Sequence, residues 1–197
     1  MKRLAEKKKG RQVMVLAGAC ALSVSLLCGC GTEKNGAGAQ ETGERQEAVS
    51  SGKVFGSFQA ETLTGESVTE AALEESALTM VNIWGTFCGP CISEMPDLGA
   101  LDQEYADRGF RVVGIISDVT EPGDETAQEI VEQTGADYMQ ILASEDLRNG
   151  ALRVINVVPT TIFVNSEGKR VGEAYAGSRS KEEWAEIIEA LLAEVGA

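Results

Sequence analysis

The chain has 197 residues, of which 43% are hydrophobic and 24% charged, a composition typical of one globular domain. It carries 17 Lys and Arg against 31 Asp and Glu, and this excess of negative charge argues against nucleic-acid binding, which requires basic side chains to neutralise phosphates. It has no histidine, so Cys-His and Ser-His catalytic pairs and imidazole metal ligands are excluded, and any chemistry must use cysteines, carboxylates or backbone groups.

Residues 1–29 are predicted to be a lipoprotein signal peptide. Six basic residues near the start precede a long apolar run, which is the order of regions in a secretory signal. The run ends in Leu27-Cys28-Gly29-Cys30, which resembles a bacterial lipobox, so Cys30 is the predicted lipidation site. A lipobox ending at Cys20, or an uncleaved membrane anchor over residues 12–29, remain as alternatives. Since the basic cluster stays cytoplasmic, the rest of the chain is predicted to be extracytoplasmic.

Residues 30–55 are predicted to be a flexible membrane tether. Between Thr32 and Lys53 the only sizeable aliphatic residue is Val49, which is too little apolar surface to order the segment. A flexible tether of this length spans roughly 25 Å, enough to keep a domain near the membrane without fixing its orientation. The folded domain is therefore predicted over residues 56–197.

The first half of this domain is predicted to contain a hairpin, a strand, a helix and a second strand. Residues 58–63 and 67–68 flank a glycine turn and form the hairpin. Residues 78–84 form a compact apolar strand, a helix that ends at Gly109 follows the Cys88–Cys91 loop, and residues 112–116 form a near-continuous apolar strand. Continuous apolar strands separated by helices indicate a sheet that is covered on both faces.

The second half is predicted to contain two helices, a hairpin and a final helix. The helices run over residues 124–134 and from Ser144 to about Arg153, and the hairpin pairs residues 160–165 with 169–175. The last helix begins at Ser180 with capping-box spacing and carries one apolar stripe, which is interpreted as core. The stripe consists of Trp184, Ile187, Ile188, Leu191, Leu192 and Val195.

Cys88 and Cys91 are the two cysteines that remain in the predicted domain. Two thiolates without histidine cannot supply the four ligands of a zinc site, and a bridge that closes so short a loop stabilises a fold little. Cys88 is predicted at the start of a helix, where unpaired N–H groups and the helix dipole favour the thiolate and lower the thiol pKa. The pair is therefore interpreted as a redox motif, with Cys88 the nucleophile and Cys91 the resolving thiol.

Residues 81–96, VNIWGTFCGPCISEMP, resemble the active-site segment of membrane-tethered, extracytoplasmic thioredoxin-like proteins of the TlpA and ResA type. Residues 157–164, VVPTTIFV, resemble their second signature, and the likeness covers nearly all of residues 56–197. The resemblance implies a thioredoxin fold: an α/β domain with a central mixed sheet flanked by helices, an added N-terminal β-hairpin, and an insertion between the active-site helix and the cis-proline strand. It also implies thiol-disulfide oxidoreductase activity, with Pro159 as the cis-proline beside the disulfide.

The resemblance also assigns roles to residues around the dithiol. Glu94 lies three residues after the second cysteine, where the TlpA and ResA type has a glutamate that takes part in catalysis; the alternative is a solvated charge on the first helical turn. Asn82 replaces the buried aspartate of cytoplasmic thioredoxins, and Phe87 replaces the usual tryptophan. The active-site neighbours are Trp84, Phe87, Gly89, Pro90 and Val158.

The sequence thus predicts reduction of disulfide bonds in extracytoplasmic proteins, without a cofactor or metal. Gly89-Pro90 between the cysteines resembles the loop of reducing thioredoxins. Electrons would come from a transmembrane thiol carrier of the CcdA or DsbD type, and the substrates would be disulfide-bonded proteins in cytochrome c maturation or oxidised surface proteins awaiting repair.

Two other classes of function are the alternatives. A peroxiredoxin-like peroxidase would need proline at Val81 and threonine at Gly85 to match the pattern before its reactive cysteine, and both are missing. A non-catalytic lipoprotein binding module would keep its disulfide closed and would tolerate loss of Cys88.

Overall fold

The computed structural model describes residues 52–197, and a five-stranded mixed sheet forms the centre of this region. Its strands are β3 (Leu78–Trp84), β4 (Phe110–Ile116), β5 (Met139–Leu142), β6 (Thr160–Asn165) and β7 (Arg170–Ala176), and they follow the short strands β1 (Gln59–Glu61) and β2 (Ser67–Thr69). The strand order is β5-β4-β3-β6-β7, in which β3, β4 and β5 are parallel while β6 and β7 run antiparallel to their neighbours.

Strand β3 lies in the middle of the sheet, and all seven of its residues are buried. An apolar strand of this kind has no solvent-facing side, because both faces of the sheet are covered. Its last residues pair with the ends of both neighbours, Trp84 with Ile116 and Ile83 with Thr160. The chain therefore leaves the centre of the sheet directly into the Cys88–Cys91 loop.

Four helices flank the sheet: α1 (Gly89–Tyr105), α2 (Glu125–Thr134), α3 (Glu145–Asn149) and α4 (Lys181–Val195). Each begins after a side chain that accepts a hydrogen bond from the first turn, which satisfies one unpaired N–H group. The capping residues are Cys88, Asp124, Ser144 and Ser180, and Ser180 forms a full capping box with Glu183.

The core consists of two clusters, one on each face of the sheet. Side chains of α1, α2 and α4, such as Leu98, Ala127 and Trp184, share one cluster with Cys88 and Cys91. Side chains from the N-terminal segment and α3 fill the other. The predicted apolar stripe of the last helix lies in the first cluster, and this confirms its interpretation as core.

The N-terminal hairpin is present but shorter than predicted, with β1 (Gln59–Glu61) and β2 (Ser67–Thr69). Strand β5 is absent from the sequence-based prediction, which has no strand between the helices predicted over residues 124–134 and from Ser144. The helix predicted from Ser144 to Arg153 ends early, at Asn149, because the backbone of Gly150 leaves the helical region, with φ −98° and ψ −113°. A 3₁₀ turn, Ala151–Val154, follows it.

Residues 53–55, the end of the predicted tether, contact the domain. The backbone N–H of Val54 donates to the carbonyl of Gly168 at 3.0 Å, Lys53 forms an ion pair with Glu74, and Phe55 is buried in the core. The predicted signal peptide, the lipidation site and the rest of the tether lie outside the described residues. Within residues 52–197, no helix has the length and apolar character to cross a membrane.

Candidate active site

Cys88 and Cys91 form a disulfide at the start of α1, with an S–S distance of 2.01 Å. Cys88 is the N-cap residue, and its sulfur accepts a hydrogen bond from the backbone N–H of Cys91 at 3.3 Å. The two cysteines differ in access to solvent, since Cys88 is 6% exposed and Cys91 is fully buried. An attacking thiol therefore reaches the Cys88 side of the bond more readily.

The loop before Cys88 is held in place by Asp118, which follows β4. The carboxylate accepts hydrogen bonds from the backbone N–H of Thr86 at 3.0 Å and from its hydroxyl at 2.6 Å. Gly85 makes room for this arrangement, because a Cβ there would lie 2.8 Å from the Phe87 ring and 3.2 Å from Asp118. Phe87 points into solvent with 74% of its surface exposed, immediately beside Cys88.

Glu94 is buried under the disulfide-bearing turn, with 3% of its surface exposed, and is not a solvated surface charge. Three N–H groups donate to its carboxylate: Asn82 Nδ2 at 3.0 Å, the backbone of Arg179 at 3.1 Å and the Trp184 indole at 3.3 Å. Burial raises the pKa of Glu94, while these hydrogen bonds and the Arg179 charge act in the opposite direction.

Two of the residues that donate to the Glu94 carboxylate, Arg179 and Trp184, belong to a cation–π cluster. The Arg179 guanidinium carbon lies 4.9 Å from the centre of the Tyr175 ring and 5.0 Å from the Trp184 ring. Its side chain also donates to the carbonyl of Gly177 at 3.0 Å, which fixes the turn between β7 and α4. The sequence pattern places Trp184 in the core and gives no signal for Arg179, because neither residue is near the cysteines along the chain.

Asn82 connects β3, β6 and α1 through its side-chain amide. Its Nδ2 donates both to Glu94 and, at 3.1 Å, to the hydroxyl of Thr161, its direct partner on β6. Its Oδ1 is buried and has no hydrogen-bond partner among the described residues. Asn82 thus fixes the position of the Glu94 carboxylate, on α1, relative to the sheet.

The peptide bond between Val158 and Pro159 is cis, as the resemblance implies. Pro159 is buried, and its carbonyl accepts a hydrogen bond from the backbone N–H of Gly177 at 2.9 Å. Val158 is partly buried against the core cluster that contains both cysteines.

The other predicted neighbours differ in exposure. Gly89 and Pro90 are exposed at the surface of the active-site turn, whereas Trp84 is fully buried. The Trp84 indole donates to the side-chain oxygen of Gln140 at 2.9 Å.

Within the part of the chain that the structure describes, no three His, Cys, Asp or Glu residues are grouped so that they could hold a metal ion. The site combines the Cys88–Cys91 pair with the buried carboxylate of Glu94.

Comparison with known proteins identifies the class of protein that this fold and dithiol define. The Redoxin family model matches residues 50–186. The thiol-disulfide oxidoreductase ResA of Halalkalibacterium halodurans is 31% identical over 137 residues, which cover 70% of this chain and 74% of that protein. The ResA of Bacillus anthracis is 27% identical over 138 residues, covering 70% and 76% of the two chains.

Solved structures show the same fold. A thioredoxin-family thiol:disulfide interchange protein from Chlorobium tepidum TLS superposes with a TM-score of 0.57 at 27% identity, covering 69% of this chain and 93% of that one. A putative DsbE from Chlorobium tepidum gives a TM-score of 0.59 at 24% identity, over 71% and 96%. The fold is thus thioredoxin-like, with an additional N-terminal hairpin.

The chain therefore belongs to the Redoxin family, as a thioredoxin-like thiol-disulfide oxidoreductase of the TlpA and ResA type. Its activity is the exchange of thiols and disulfides, and the redox-active pair is Cys88 with Cys91.

Proposed function

We propose that this oxidoreductase reduces disulfide bonds in extracytoplasmic proteins while a lipid on Cys30 holds it to the cell membrane. The observation that carries the proposal is the asymmetry of the cysteine pair. Cys88 lies at the accessible start of a helix, and Cys91 is fully buried on the same turn, three residues before the buried carboxylate of Glu94. This arrangement supplies an attacking thiolate and a protected resolving thiol.

The first step is attack of the Cys88 thiolate on one sulfur of the substrate disulfide. A bond forms between Cys88 and that sulfur, the substrate S–S bond breaks, and the second substrate sulfur leaves as a thiolate. The unpaired N–H groups at the start of α1 and the helix dipole stabilise the negative charge on Cys88 before attack.

In the second step Cys91 attacks Cys88 in the mixed disulfide. The Cys91 thiol must lose its proton first, and Glu94, one helical turn further on, is proposed to accept it. The raised pKa of Glu94 makes its carboxylate a better proton acceptor than an exposed glutamate. The bond between Cys88 and the substrate sulfur breaks, and the Cys88–Cys91 disulfide is restored. The substrate, which has gained two electrons, leaves as a dithiol once its two sulfurs take up protons from Glu94 and from solvent.

The supply of electrons and the substrates follow from the proposed location. No cytosolic reductase reaches an extracytoplasmic domain, so a transmembrane thiol carrier of the CcdA or DsbD type is proposed to reduce Cys88–Cys91 after each cycle. The tether would keep the domain within reach of that carrier. The proposed substrates are disulfide-bonded apocytochrome c or misoxidised surface proteins.

Insulin reduction tests the proposed activity. The full-length chain in detergent should catalyse precipitation of insulin in the presence of dithiothreitol, and Cys88→Ser should be inactive. Cys91→Ala should accumulate substrates as mixed disulfides on Cys88, because the resolving thiol is missing. Labelling of Cys91 before Cys88 at limiting alkylating reagent would contradict the assigned roles. Full biological function of Cys88→Ser would contradict catalysis and favour a binding module.

A further inference from the structure

An open groove runs along the surface beside the active-site turn, with a volume of about 540 Å³. It begins at Phe87, the residue immediately before Cys88, and at Val158, the residue before Pro159. The opposite wall is formed by α3 and the segment that follows it, through Arg148, Leu152, Ile155 and Val157. The groove therefore lies next to the sulfur that attacks the substrate.

The surface around this groove carries the large apolar side chains that the described region leaves in solvent. Phe87 and Val154 are each 74% exposed, and Val157 is 53% exposed. The other large hydrophobic side chains of residues 52–197 are buried or partly buried. Phe87 and Val157 line the groove, while Val154 lies in the same 3₁₀ turn as the groove residue Leu152. Large apolar side chains gathered on one patch are typical of a binding surface.

The lining of the groove is opposite in charge to the domain as a whole, since Arg148 is the one charged residue among those that line it. The neighbouring Asp118 carboxylate accepts hydrogen bonds from the backbone N–H and the hydroxyl of Thr86. Residues 52–197 contain nine Lys or Arg and 26 Asp or Glu, yet residues 147–166 contain Arg148 and Arg153 and no acidic residue. Neither arginine forms an ion pair within residues 52–197. Arg148 donates one hydrogen bond to the carbonyl of Ala143, which leaves other guanidinium N–H groups for a ligand.

We propose that this groove selects substrates in which the disulfide is flanked by an extended segment with apolar side chains and a carboxylate. The apolar side chains would pack against Phe87, Leu152 and Val157, and the carboxylate would pair with Arg148 or Arg153. Such a segment complements both features of the patch, whereas a basic segment would be repelled by it. The proposal rests on the proposed reductase function and specifies its substrate class.

Rates of exchange with defined peptides test the proposal. Each short peptide holds one cysteine in a disulfide with 2-mercaptoethanol, and in the first peptide this cysteine is flanked by leucines and a glutamate. A second peptide has lysine in place of the glutamate, and a third has serines in place of the leucines. The full-length chain in detergent is first reduced and then mixed with each peptide in a single turnover. Bis(2-hydroxyethyl) disulfide, which is neutral and too small to span the groove, reports basal exchange.

We expect the glutamate peptide to react about fivefold or more faster than the lysine peptide, with a difference that shrinks at high salt. R148E/R153E should invert this preference. R153E alone should reduce it, and it removes no side-chain ion pair within the described residues. Arg170→Glu is the matched control, since Arg170 pairs with Val164 at the end of the sheet furthest from the cysteines. It should retain the wild-type preference, and all variants should retain exchange with the small disulfide.

Val157→Ser should slow the leucine peptide about fivefold and leave the serine peptide unchanged, because less apolar surface is removed from water. Equal rates for all peptides, with normal exchange of the small disulfide, would overturn the groove proposal alone. Absence of exchange with every disulfide would instead refute the reductase function. A dimer that Val157→Ser converts to a monomer would mean that a second copy covers the groove, and it would also overturn the proposal.

Discussion

Replacement of Glu94 by Gln removes the one buried carboxylate next to the dithiol while keeping the shape of the side chain. The carboxylate is held by three N–H donors at 3.0 to 3.3 Å and lies one helical turn from Cys91. Residues three apart on a helix have Cβ atoms about 5–6 Å apart. At an effective dielectric constant of about 20, a carboxylate and a thiolate at that distance repel each other by about 3 kcal/mol. The variant loses this repulsion and a proton acceptor together.

The two losses act on Cys91 in opposite directions, because one favours its thiolate and the other slows its deprotonation. Without the negative charge, the Cys91 thiol should titrate at a lower pH than in the wild type. Without the proton acceptor, however, resolution of the mixed disulfide near neutral pH should be slower by about tenfold to 100-fold. If Glu94 had only a structural role, its replacement would change neither the titration of Cys91 nor the shape of the pH-rate profile.

The assay follows the reduced protein after mixing with Ellman's reagent in a stopped-flow instrument. The first thionitrobenzoate released reports attack by Cys88, and the second reports resolution by Cys91. Asp97→Asn is the matched control, because it removes one negative charge from the same helix at a partly exposed site. An unchanged profile of the second phase in Glu94→Gln, with the same fold retained, would refute the proposed role of Glu94.

Stability and titration give three further predictions. Because burial raises the pKa of Glu94, the folded state binds the Glu94 proton more tightly than the unfolded state does. The stability of the wild type should therefore fall relative to that of Glu94→Gln as the pH rises above 4.5, the ordinary pKa of a glutamate. Urea unfolding across this pH range measures the difference. Trp184→Phe removes the indole donor from the carboxylate, and it should cost about 1–3 kcal/mol in unfolding free energy and move the Glu94 ionisation to higher pH. Gly99→Ala should cost about 1–3 kcal/mol, because the new Cβ would lie 2.8 Å from the carbonyl oxygen of Gly135, whereas Gly89→Ala, which meets no atom within 4 Å, should unfold like the wild type.

The sequence predicts well those elements whose signals are local. The buried strand β3 matches its predicted range, because an apolar run bounded by turn residues marks both ends. Asp124 and Gly135 mark the two ends of α2 through their capping roles, as the pattern indicates. Strand β5 has only four residues, includes the buried Gln140, and depends on pairing with β4, so its local pattern is too short to identify it.

In the active site, too, the sequence predicts the residues that are close in the chain and misses those that folding brings together. Cys88, Cys91 and Glu94 fall within one short segment, where spacing on a single helix relates them to one another. Trp184 and Arg179 reach the Glu94 carboxylate only because β7 and α4 fold back over α1, across 90 and 85 residues. No periodicity or motif in the sequence signals such a contact. The groove depends likewise on the break at Gly150, which the helical pattern does not predict.

A chain that donates electrons to substrate disulfides through Cys88 and Cys91 must keep this pair reduced in growing cells. Acid quenching followed by alkylation should find both thiols mostly reduced, and the purified protein should have a potential near the value of about −270 mV found for thioredoxin. A pair that is mostly oxidised in growing cells, with a potential near the value of about −120 mV found for strong oxidants, would contradict reduction and indicate disulfide formation.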